Sequence, residues 1–281
     1  MSTGKRIGFV DLKLENFHAN VYLKAVRNEL QERGFLVAGC FALDEADGRA
    51  WAAKNAVPYF ADAAELDRNV DCYAVLAPSN PEVHLDLCRR VLPFGKPTYV
   101  DKTFAPDLAT ARRIFALADR FGVALQTSSA LRYTNVQTAV RTAGAEPLRH
   151  MVTWGGGRSF DEYAIHPVEL AVSCLGPAAL SLMRRGTGDQ SQLLINFSGD
   201  RTAVVNVYTN ANTAFAASLT TGKGTTYVPV DGSRMFINMA AAILDLFESR
   251  TPNIDRQESL MIRRILDVAG KPAAQRRFVQ L

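Results

Sequence analysis

Residues 71–101 read DCYAVLAPSNPEVHLDLCRRVLPFGKPTYVD, and this stretch decides the fold. It opens with an apolar segment typical of a core strand, Asp71–Ala77, and closes with a second one, Pro97–Asp101. Between them, Pro81–Leu92 has the apolar spacing of a helix and ends at a proline. Because a helical connection of this length joins strands that run in the same direction, the stretch predicts a βαβ unit of a parallel sheet.

The same alternation continues on both sides of this unit. The flanking strands are Arg6–Asp11, Phe35–Leu43 and Val123–Thr127, and the flanking helices are Phe17–Arg33, Asp44–Asn55 and Pro106–Phe121. Strands that alternate with helices predict a parallel sheet with right-handed crossovers. The sequence therefore predicts a doubly wound, Rossmann-like α/β domain over residues 1–130.

The second half of the chain has a different pattern. Its strand candidates are Leu148–Gly155, Ala179–Met183, Gln192–Ser198, Thr202–Thr209, Ala214–Thr221 and Thr225–Val230, with a last short strand at Phe278-Val279. Its helix candidates are Arg132–Ala143, Val168–Leu175, Phe236–Ser249 and Arg256–Ala269. Short turns such as Ser198-Gly199-Asp200 join neighbouring strands, which favours antiparallel pairing. Residues 131–281 are therefore predicted to form an α+β domain with a mostly antiparallel, open sheet.

Composition and charge narrow the possible functions. The chain has 281 residues, of which 48% are apolar and 21% are charged, and this excludes a disordered chain, a collagen-like repeat and a disulfide miniprotein. The net charge is +4, and the basic residues are scattered, without a basic run or a stripe interleaved with aromatic residues. Nucleic-acid binding is therefore not expected.

Cysteine usage and hydropathy indicate the compartment. Cys40, Cys72, Cys88 and Cys174 have no C-x-x-C spacing and are interpreted as reduced residues. The first residues contain no apolar leader segment, and no apolar run reaches about 18 residues. We expect a cytoplasmic protein without a membrane partner, and the His, Cys and carboxylate spacings match no metal site.

Several short motifs occur in a fixed order along the chain. Ala77-Pro78-Ser79-Asn80 follows a core strand, His84 lies on the next helix, and Gly95–Thr103 reads GKPTYVDKT. Further on, Glu162–Leu170 reads EYAIHPVEL and precedes Leu175-Gly176. In order and spacing, this set resembles the glucose–fructose oxidoreductase, inositol dehydrogenase and MocA family over nearly the whole chain.

The resemblance implies a dehydrogenase that uses NAD or NADP. Its substrate would be a sugar, a cyclitol or a related polyol that is oxidised, or a ketone or keto-sugar that is reduced, by hydride transfer. In the family, the exposed face of the C-terminal sheet commonly packs against a second subunit. A homodimer or tetramer through that sheet is therefore expected.

Three residues are candidates for catalysis. Hydride transfer needs a base for the hydroxyl proton, and His166 is expected at a helix N-terminus, where the helix dipole keeps its ring neutral. Glu162 lies four residues earlier and is expected to orient His166 or to receive its proton, although its position is equally compatible with an ordinary loop carboxylate. Lys102 follows a strand and is expected to hydrogen-bond the reacting oxygen.

Cofactor and substrate residues follow from the same resemblance. The predicted cofactor-binding residues are Lys13, Asn16, Ala77, Pro78, Asn80 and Asp101, and the predicted substrate-binding residues are Arg132, Tyr133 and Arg158. Arg132-Tyr133 is equally compatible with a structural link between the domains. The glycine-rich segment before Arg158 is equally compatible with a flexible loop.

The loop after the first strand departs from the family. A dinucleotide-binding chain has G-x-G-x-x-G there, because the glycines permit a tight turn and a close approach of the pyrophosphate. The residues here are Asp11-Leu12-Lys13-Leu14-Glu15-Asn16, and the end of the second strand carries Ala42 instead of an acidic residue. Two carboxylates bring negative charge towards the phosphates, while Lys13, Asn16 and the following helix N-terminus compensate in part.

This departure leaves two other functions open. One is a cofactor-independent acid–base enzyme, such as a lyase or an epimerase, that uses Lys102, Glu162 and His166. The other is a non-catalytic accessory protein on the same fold. Turnover in nucleotide-free buffer would favour the first of these, and a full cellular phenotype of a Lys102 and His166 double variant would favour the second.

Overall fold

The computed structural model describes residues 5–142, 144, 147–186 and 188–281. These residues form two compact units. The first comprises the described residues up to Ser128 together with Phe236–Asp255, and the second comprises Ser129–Met235 together with Arg256–Leu281. The domain division at residues 1–130 and 131–281 stays a prediction.

The strands and helices are named in chain order. They are β1 (Lys5–Asp11), α1 (Phe17–Arg27), β2 (Phe35–Ala42), α2 (Glu45–Asn55), α3 (Ala63–Asp67), β3 (Cys72–Val75), α4 (His84–Val91), β4 (Thr98–Val100), α5 (Leu108–Arg120), β5 (Leu125–Gln126), α6 (Asn135–Thr142), β6 (His150–Gly156), α7 (Phe160–Tyr163), α8 (Ile165–Leu175), β7 (Ala179–Arg185), β8 (Gln190–Phe197), β9 (Arg201–Tyr208), β10 (Ala216–Thr221), β11 (Gly224–Pro229), α9 (Met235–Ser249), α10 (Arg256–Ala269) and β12 (Val279–Gln280). Two short helices, α3 and α7, are absent from the sequence predictions.

The sheet of the first unit has its strands in the order β2-β1-β3-β4-β5. Each neighbouring pair is parallel, with Ile7 opposite Cys72 and Tyr73 opposite Thr98. All residues of β3 and β4 are buried, as expected for central strands of an α/β sheet. The predicted Rossmann-like fold is confirmed. Because the strands are parallel, the residues that follow β1, β3 and β4 come together at the carboxyl edge of the sheet, where such folds bind ligands.

The first helix is shorter than its apolar spacing predicts. The prediction covers Phe17–Arg33, whereas α1 ends at Arg27 and Gln31–Arg33 forms a separate 3-10 turn. Asn28 leaves the helical conformation, with φ −115° and ψ −81°. Gly34 then takes φ 72°, a left-handed conformation that favours glycine, and leads into β2.

The helix predicted over Arg132–Ala143 is also shorter. A 3-10 turn over Ala130–Tyr133 precedes it, and α6 begins only at Asn135. Ala143 lies outside the described residues. The change of geometry at Thr134, whose backbone is extended, separates the turn from the helix.

The sheet of the second unit has seven strands in the order β11-β10-β6-β9-β8-β7-β12. All pairs are antiparallel except β6 with β9, so the predicted mostly antiparallel sheet is confirmed. Buried and half-buried residues alternate along β6 and β8, which leaves one face for the core. There α8 and α10 pack against each other, and α8 also packs against β6 and β9. The core they build includes Val172, Leu193, Ile195, Val205 and Ile265.

Helix α9 belongs to the first unit although it follows the second sheet in the chain. The Tyr22 hydroxyl donates to the sulfur of Met239 at 3.2 Å, and the rings of Phe35 and Phe247 lie 6.3 Å apart. Met239 is fully buried. The apolar side of α9 therefore completes the core of the first unit.

Subunit packing through the second sheet stays a prediction. Among the described residues, no helix is long and apolar enough to cross a membrane.

Candidate functional site

The loop between β1 and α1 is organised around the carboxylate of Asp11. Asp11 is the last residue of β1 and is only 1% exposed. It accepts hydrogen bonds from the Lys13 backbone N–H at 3.1 Å and from the Asn16 Nδ2 at 2.9 Å. The backbone of Ala77, which follows β3, also hydrogen-bonds to it. The carboxylate therefore ties the loop after β1 to the loop after β3.

Burial sets the protonation of this carboxyl group. It raises the pKa of Asp11 from 3.8 to about 6, although the hydrogen bonds from Ala77, Asn16, Lys13 and Leu12 oppose the rise. Asp11 is consequently charged at neutral pH and becomes neutral in mild acid. Sequence reasoning anticipated its negative charge, but not its burial.

Asn16 and Lys13, both predicted to bind cofactor, lie on this loop. Asn16 is the N-cap of α1, and its side-chain oxygen accepts from the Ala19 backbone N–H at 3.0 Å. The Lys13 side chain is 63% exposed, and its ammonium lies 3.5 Å from the carboxylate of Asp44. Asn16 is therefore occupied by the protein itself, whereas Lys13 remains accessible to solvent.

The residues after β3 and β4 include Lys102, the candidate that polarises the substrate. Lys102 is 8% exposed, and its ammonium donates to the Pro78 carbonyl at 3.3 Å. Ala77 has a left-handed backbone with φ 52°, and the Asn80 amide donates to Glu82 at 2.9 Å. The structure thus places Lys102 next to Pro78, and the shared site of these residues stays a prediction.

Asp101 is fully buried beside Lys102 and is bonded on both oxygens. Its Oδ2 lies 2.5 Å from the Nδ1 of His18, and its Oδ1 accepts from the Tyr99 hydroxyl at 3.1 Å and from the Lys102 backbone N–H at 2.8 Å. Burial alone would raise the pKa of Asp101, but the His18 imidazole and Lys102 hold it below its usual value. These bonds hold the backbone at Lys102 in place.

Sequence reasoning missed His18. His18 lies in the first turn of α1, just after the loop that follows β1, so it is at the same carboxyl edge of the sheet as Asp101. This position in the chain is the sequence signal that could have identified it. Because Nδ1 faces a carboxylate, that nitrogen carries the proton, and a neutral ring accepts only at Nε2. The rings of Phe17, Tyr22 and Phe236 pack around it, and Phe17 is 63% exposed.

His166 lies in the second unit, at the N-terminus of α8 as predicted. The helix starts at Ile165, three residues before the predicted start, because Pro167 is tolerated in a first turn, where its missing N–H leaves no bond unmade. The Nδ1 of His166 lies 2.8 Å from the hydroxyl of Ser129. Ser129 is a second residue that sequence reasoning missed, because it stands far from His166 in the chain.

The other candidates of the second unit surround α7 and α8. Glu162 is in the short helix α7, whose N-cap is Ser159, and its backbone N–H donates to the Ser159 hydroxyl at 3.3 Å. Arg158 is exposed just before that helix, and Tyr133 is half-buried in the 3-10 turn. These roles in catalysis and substrate binding stay predictions.

Arg132 is held in a buried ion network. Its Nε donates to Glu169 at 2.9 Å and its Nη1 to Glu258 at 2.5 Å, while its Nη2 has no hydrogen-bond partner among the described residues. Burial raises the pKa of Glu169, and Arg132 opposes that rise. Glu169 also accepts from the Ser129 backbone N–H at 2.9 Å. The charge of Arg132 is thus balanced inside the second unit, which supports a structural role beside the predicted one.

In the described part of the chain, no group of three or more His, Cys, Asp or Glu residues is arranged to hold a metal ion.

Known proteins share this fold. Residues 6–129 match the model of an oxidoreductase family with an NAD-binding Rossmann fold. No curated protein matches the chain by sequence. The family is an NAD-binding one, which agrees with the predicted cofactor class of NAD or NADP.

Solved structures resemble the whole chain. A probable dehydrogenase from Thermotoga maritima superposes with a TM-score of 0.84 at 14% identity and covers 98% of both chains. GenD2 from gentamicin A biosynthesis, in complex with NAD, has a TM-score of 0.81 at 16% identity and covers 99% of this chain and 97% of its own. A myo-inositol dehydrogenase from Corynebacterium glutamicum has a TM-score of 0.81 at 12% identity and covers 98% of each chain.

At these identities the likeness establishes the fold alone. The motifs Ala77–Asn80 and Gly95–Thr103, from which the resemblance was drawn, both lie inside the segment that the family model matches. Residues 6–129 match the model of the glucose–fructose oxidoreductase, inositol dehydrogenase and MocA family of oxidoreductases, and the resemblance seen in the sequence is confirmed.

Proposed function

We propose that the protein is an NAD(P)-dependent oxidoreductase that transfers hydride between the nicotinamide and a sugar, a cyclitol or a related polyol or ketone. The observation that carries this proposal is the buried Lys102, which follows β4 at the carboxyl edge of the parallel sheet. Ligands of open α/β sheets bind at this edge. The family of residues 6–129 supplies the reaction class.

The donor groups at this edge have the chemistry that a nicotinamide dinucleotide needs. The exposed ammonium of Lys13 is suited to phosphate, and the amide of Asn80 is suited to ribose hydroxyls. The group that opposes phosphate is the Asp11 carboxylate. We propose that Lys13, Ala77, Pro78 and Asn80 contact the cofactor directly. Asn16 and Asp101, whose polar groups are bonded within the protein, complete the proposed cofactor-binding set by holding the loops in place.

Lys102 would stabilise charge on the reacting oxygen. A bound nicotinamide would accept or donate the hydride. The Lys102 ammonium, which now donates to the Pro78 carbonyl, keeps further N–H groups for a substrate oxygen. Asp101 anchors the Lys102 backbone and the Pro78 carbonyl accepts from its ammonium, so the side chain is positioned before substrate binds, and this lowers the cost of reorganisation.

His166 would take the hydroxyl proton when an alcohol is oxidised, and return it when a ketone is reduced. Its Nδ1 lies 2.8 Å from the hydroxyl of Ser129, and this contact fixes the orientation of the ring. Glu162 would orient this histidine or receive its proton. Arg132, Tyr133 and Arg158 complete the proposed set as substrate-binding residues.

Polyols and sugars are the proposed substrate class. The names of similar structures support this class, since they include a myo-inositol dehydrogenase and a UDP-N-acetylglucosamine 3-dehydrogenase.

Calorimetric titration of the nucleotide-stripped protein with NADH and NADPH tests the proposal first. We expect dissociation constants between about 1 μM and 1 mM, corresponding to about 8 to 4 kcal/mol. Absence of binding at millimolar concentration would refute hydride transfer. A positive titration would lead to a screen of sugars, cyclitols and their keto forms, read by nicotinamide absorbance.

Substitutions then assign the residues. Lys102→Ala and His166→Ala are each expected to lower kcat by about 100-fold or more. The matched controls are Lys24→Ala, at an exposed position of α1, and His150→Ala, on β6, and both are expected to retain activity. Equal activity of His166→Ala and His150→Ala would remove His166 from the reaction.

The cofactor-independent enzyme is the second candidate, because the Asp11 carboxylate occupies the phosphate loop. Turnover of a polyol derivative without added nucleotide, lost in Lys102→Ala, would favour it.

A further inference from the structure

We infer that Asp11 is the residue that limits the affinity for nicotinamide dinucleotide, because its carboxylate takes up the hydrogen-bond donors that the cofactor phosphates would use. The inference rests on the proposed function and concerns the strength of cofactor binding. It attributes the weakening of cofactor binding to the side chain of Asp11, which stands where the family has a glycine.

The donors around Asp11 come from two loops, the one that follows β1 and the one that follows β3. In the loop after β1, the Lys13 backbone N–H donates to Oδ1 at 3.1 Å and the Asn16 Nδ2 donates to Oδ2 at 2.9 Å. In the loop after β3, the backbone of Ala77 contributes a further hydrogen bond. A cluster of N–H groups converging on one anion is the arrangement by which phosphate loops hold their ligand. Here the anion is part of the chain.

The point at which these donors meet is also the switch point of the sheet. From β1 the chain continues to β2 on one side, while β3 lies on the other, as the order β2-β1-β3-β4-β5 shows. Dinucleotide phosphates bind at such a crevice in this class of fold. A phosphate placed there would meet a carboxylate instead of free amides.

The other charges of this loop also make it a poor binding site for phosphate. Lys13 is the one basic residue in the segment Asp11–Asn16, and its ammonium lies 3.5 Å from the Asp44 carboxylate. Glu15, on the same loop, is paired with Lys54 at 2.8 Å. The loop therefore offers phosphate one cation that is shared with a carboxylate, and one fully buried anion.

Removal of the Asp11 charge is expected to release the donors. Asp11→Asn keeps the size of the side chain and one acceptor oxygen, so the loop stays closed while the anion is lost. Asp11→Gly removes the whole side chain and frees the amides of Lys13 and Ala77. If competition for donors limits affinity, both variants bind cofactor more tightly, and the glycine variant binds it best.

The experiment is a calorimetric titration of wild type and both variants with NADH and with NADPH, in the full-length, nucleotide-stripped protein. Asp62→Asn is the matched control, because Asp62 is an exposed N-cap of α3 and asparagine caps equally well. Far-ultraviolet circular dichroism confirms that each variant is folded. We expect dissociation constants about tenfold lower or better for both Asp11 variants, and unchanged within about twofold for the control.

Three results would overturn the inference in distinguishable ways. Equal and measurable affinity in wild type and both Asp11 variants would refute it and leave the proposed function standing. No binding by any of the proteins would refute both. A tighter Asp62→Asn variant, matching the gain of Asp11→Asn, would show that net charge alone and not the loop donors sets the affinity.

Discussion

Asp11 should make the first unit less stable as the pH rises, and Asp11→Asn should abolish that loss. The folded state holds the proton more tightly than the unfolded chain, since burial raises the pKa of Asp11 from 3.8 to about 6. The stabilising contribution of the protonated group is therefore complete below about pH 4 and is lost as the pH rises through 6. At about 1.4 kcal/mol per pH unit, the difference between 3.8 and about 6 corresponds to about 3 kcal/mol.

The two tryptophans allow this loss to be measured in one unit. Trp51 is buried in the first unit, against the ring of Phe9, and Trp154 lies in the second. In a Trp154→Phe background, Trp51 fluorescence follows urea unfolding of the first unit alone. The free energy of unfolding would be measured from pH 4 to pH 8, with and without Asp11→Asn, in the absence of nucleotide.

The expected result is a difference between the two proteins that grows by about 3 kcal/mol between about pH 4 and pH 7, in favour of the asparagine variant. Other titrating groups are common to both proteins and cancel. Asp44→Asn serves as a control of opposite sign, because hydrogen bonds lower the pKa of Asp44 and its contribution is lost as the pH falls. A difference that is flat with pH would refute the argument that Asp11 is held buried and charged at neutral pH.

Three further outcomes follow from the second unit and the candidate site. Glu169→Gln leaves Arg132 with one buried partner fewer, and it should lower the free energy of unfolding by about 3–5 kcal/mol, followed by Trp154 fluorescence in a Trp51→Phe background. Gly157→Ala would place a methyl group against the ring of Tyr163 and should cost about 1–3 kcal/mol in the same assay, where an unchanged midpoint would contradict the packing. Lys102→Met keeps the length of the side chain without its charge and should lower kcat by about 100-fold with KM little changed, which steady-state kinetics on the screened substrate would check.

Much of the fold could be predicted because its signals are local. The apolar strands and the helical spacing of residues 71–101 define a βαβ unit by themselves, and the parallel order of the sheet follows from connection length. The end of α1 could not be predicted from spacing, because Leu30 continues the apolar stripe while Asn28 has already left the helical conformation.

The candidate site could be predicted only where a residue stands in a motif. Lys102 and His166 are candidates because each stands in such a motif, and their roles stay predictions. His18 and Ser129 were missed because their partners, Asp101 and His166, are distant in the chain and become neighbours only through tertiary contacts. Asp11 was recognised as a charge, but its role depends on burial and on donors from a second loop, neither of which a linear pattern contains.

Helix α9 packs in the first unit although it is late in the chain, and this has a consequence for biosynthesis. A ribosome makes every strand of the parallel sheet before residue 128, yet the helix that packs on Tyr22 and Phe35 is made more than a hundred residues later. Until then the nascent chain carries an uncovered apolar surface, and a fragment that ends at Ser128 carries it permanently. Such a fragment should bind chaperones or aggregate, and coexpression with a peptide of residues 236–255 should restore its solubility.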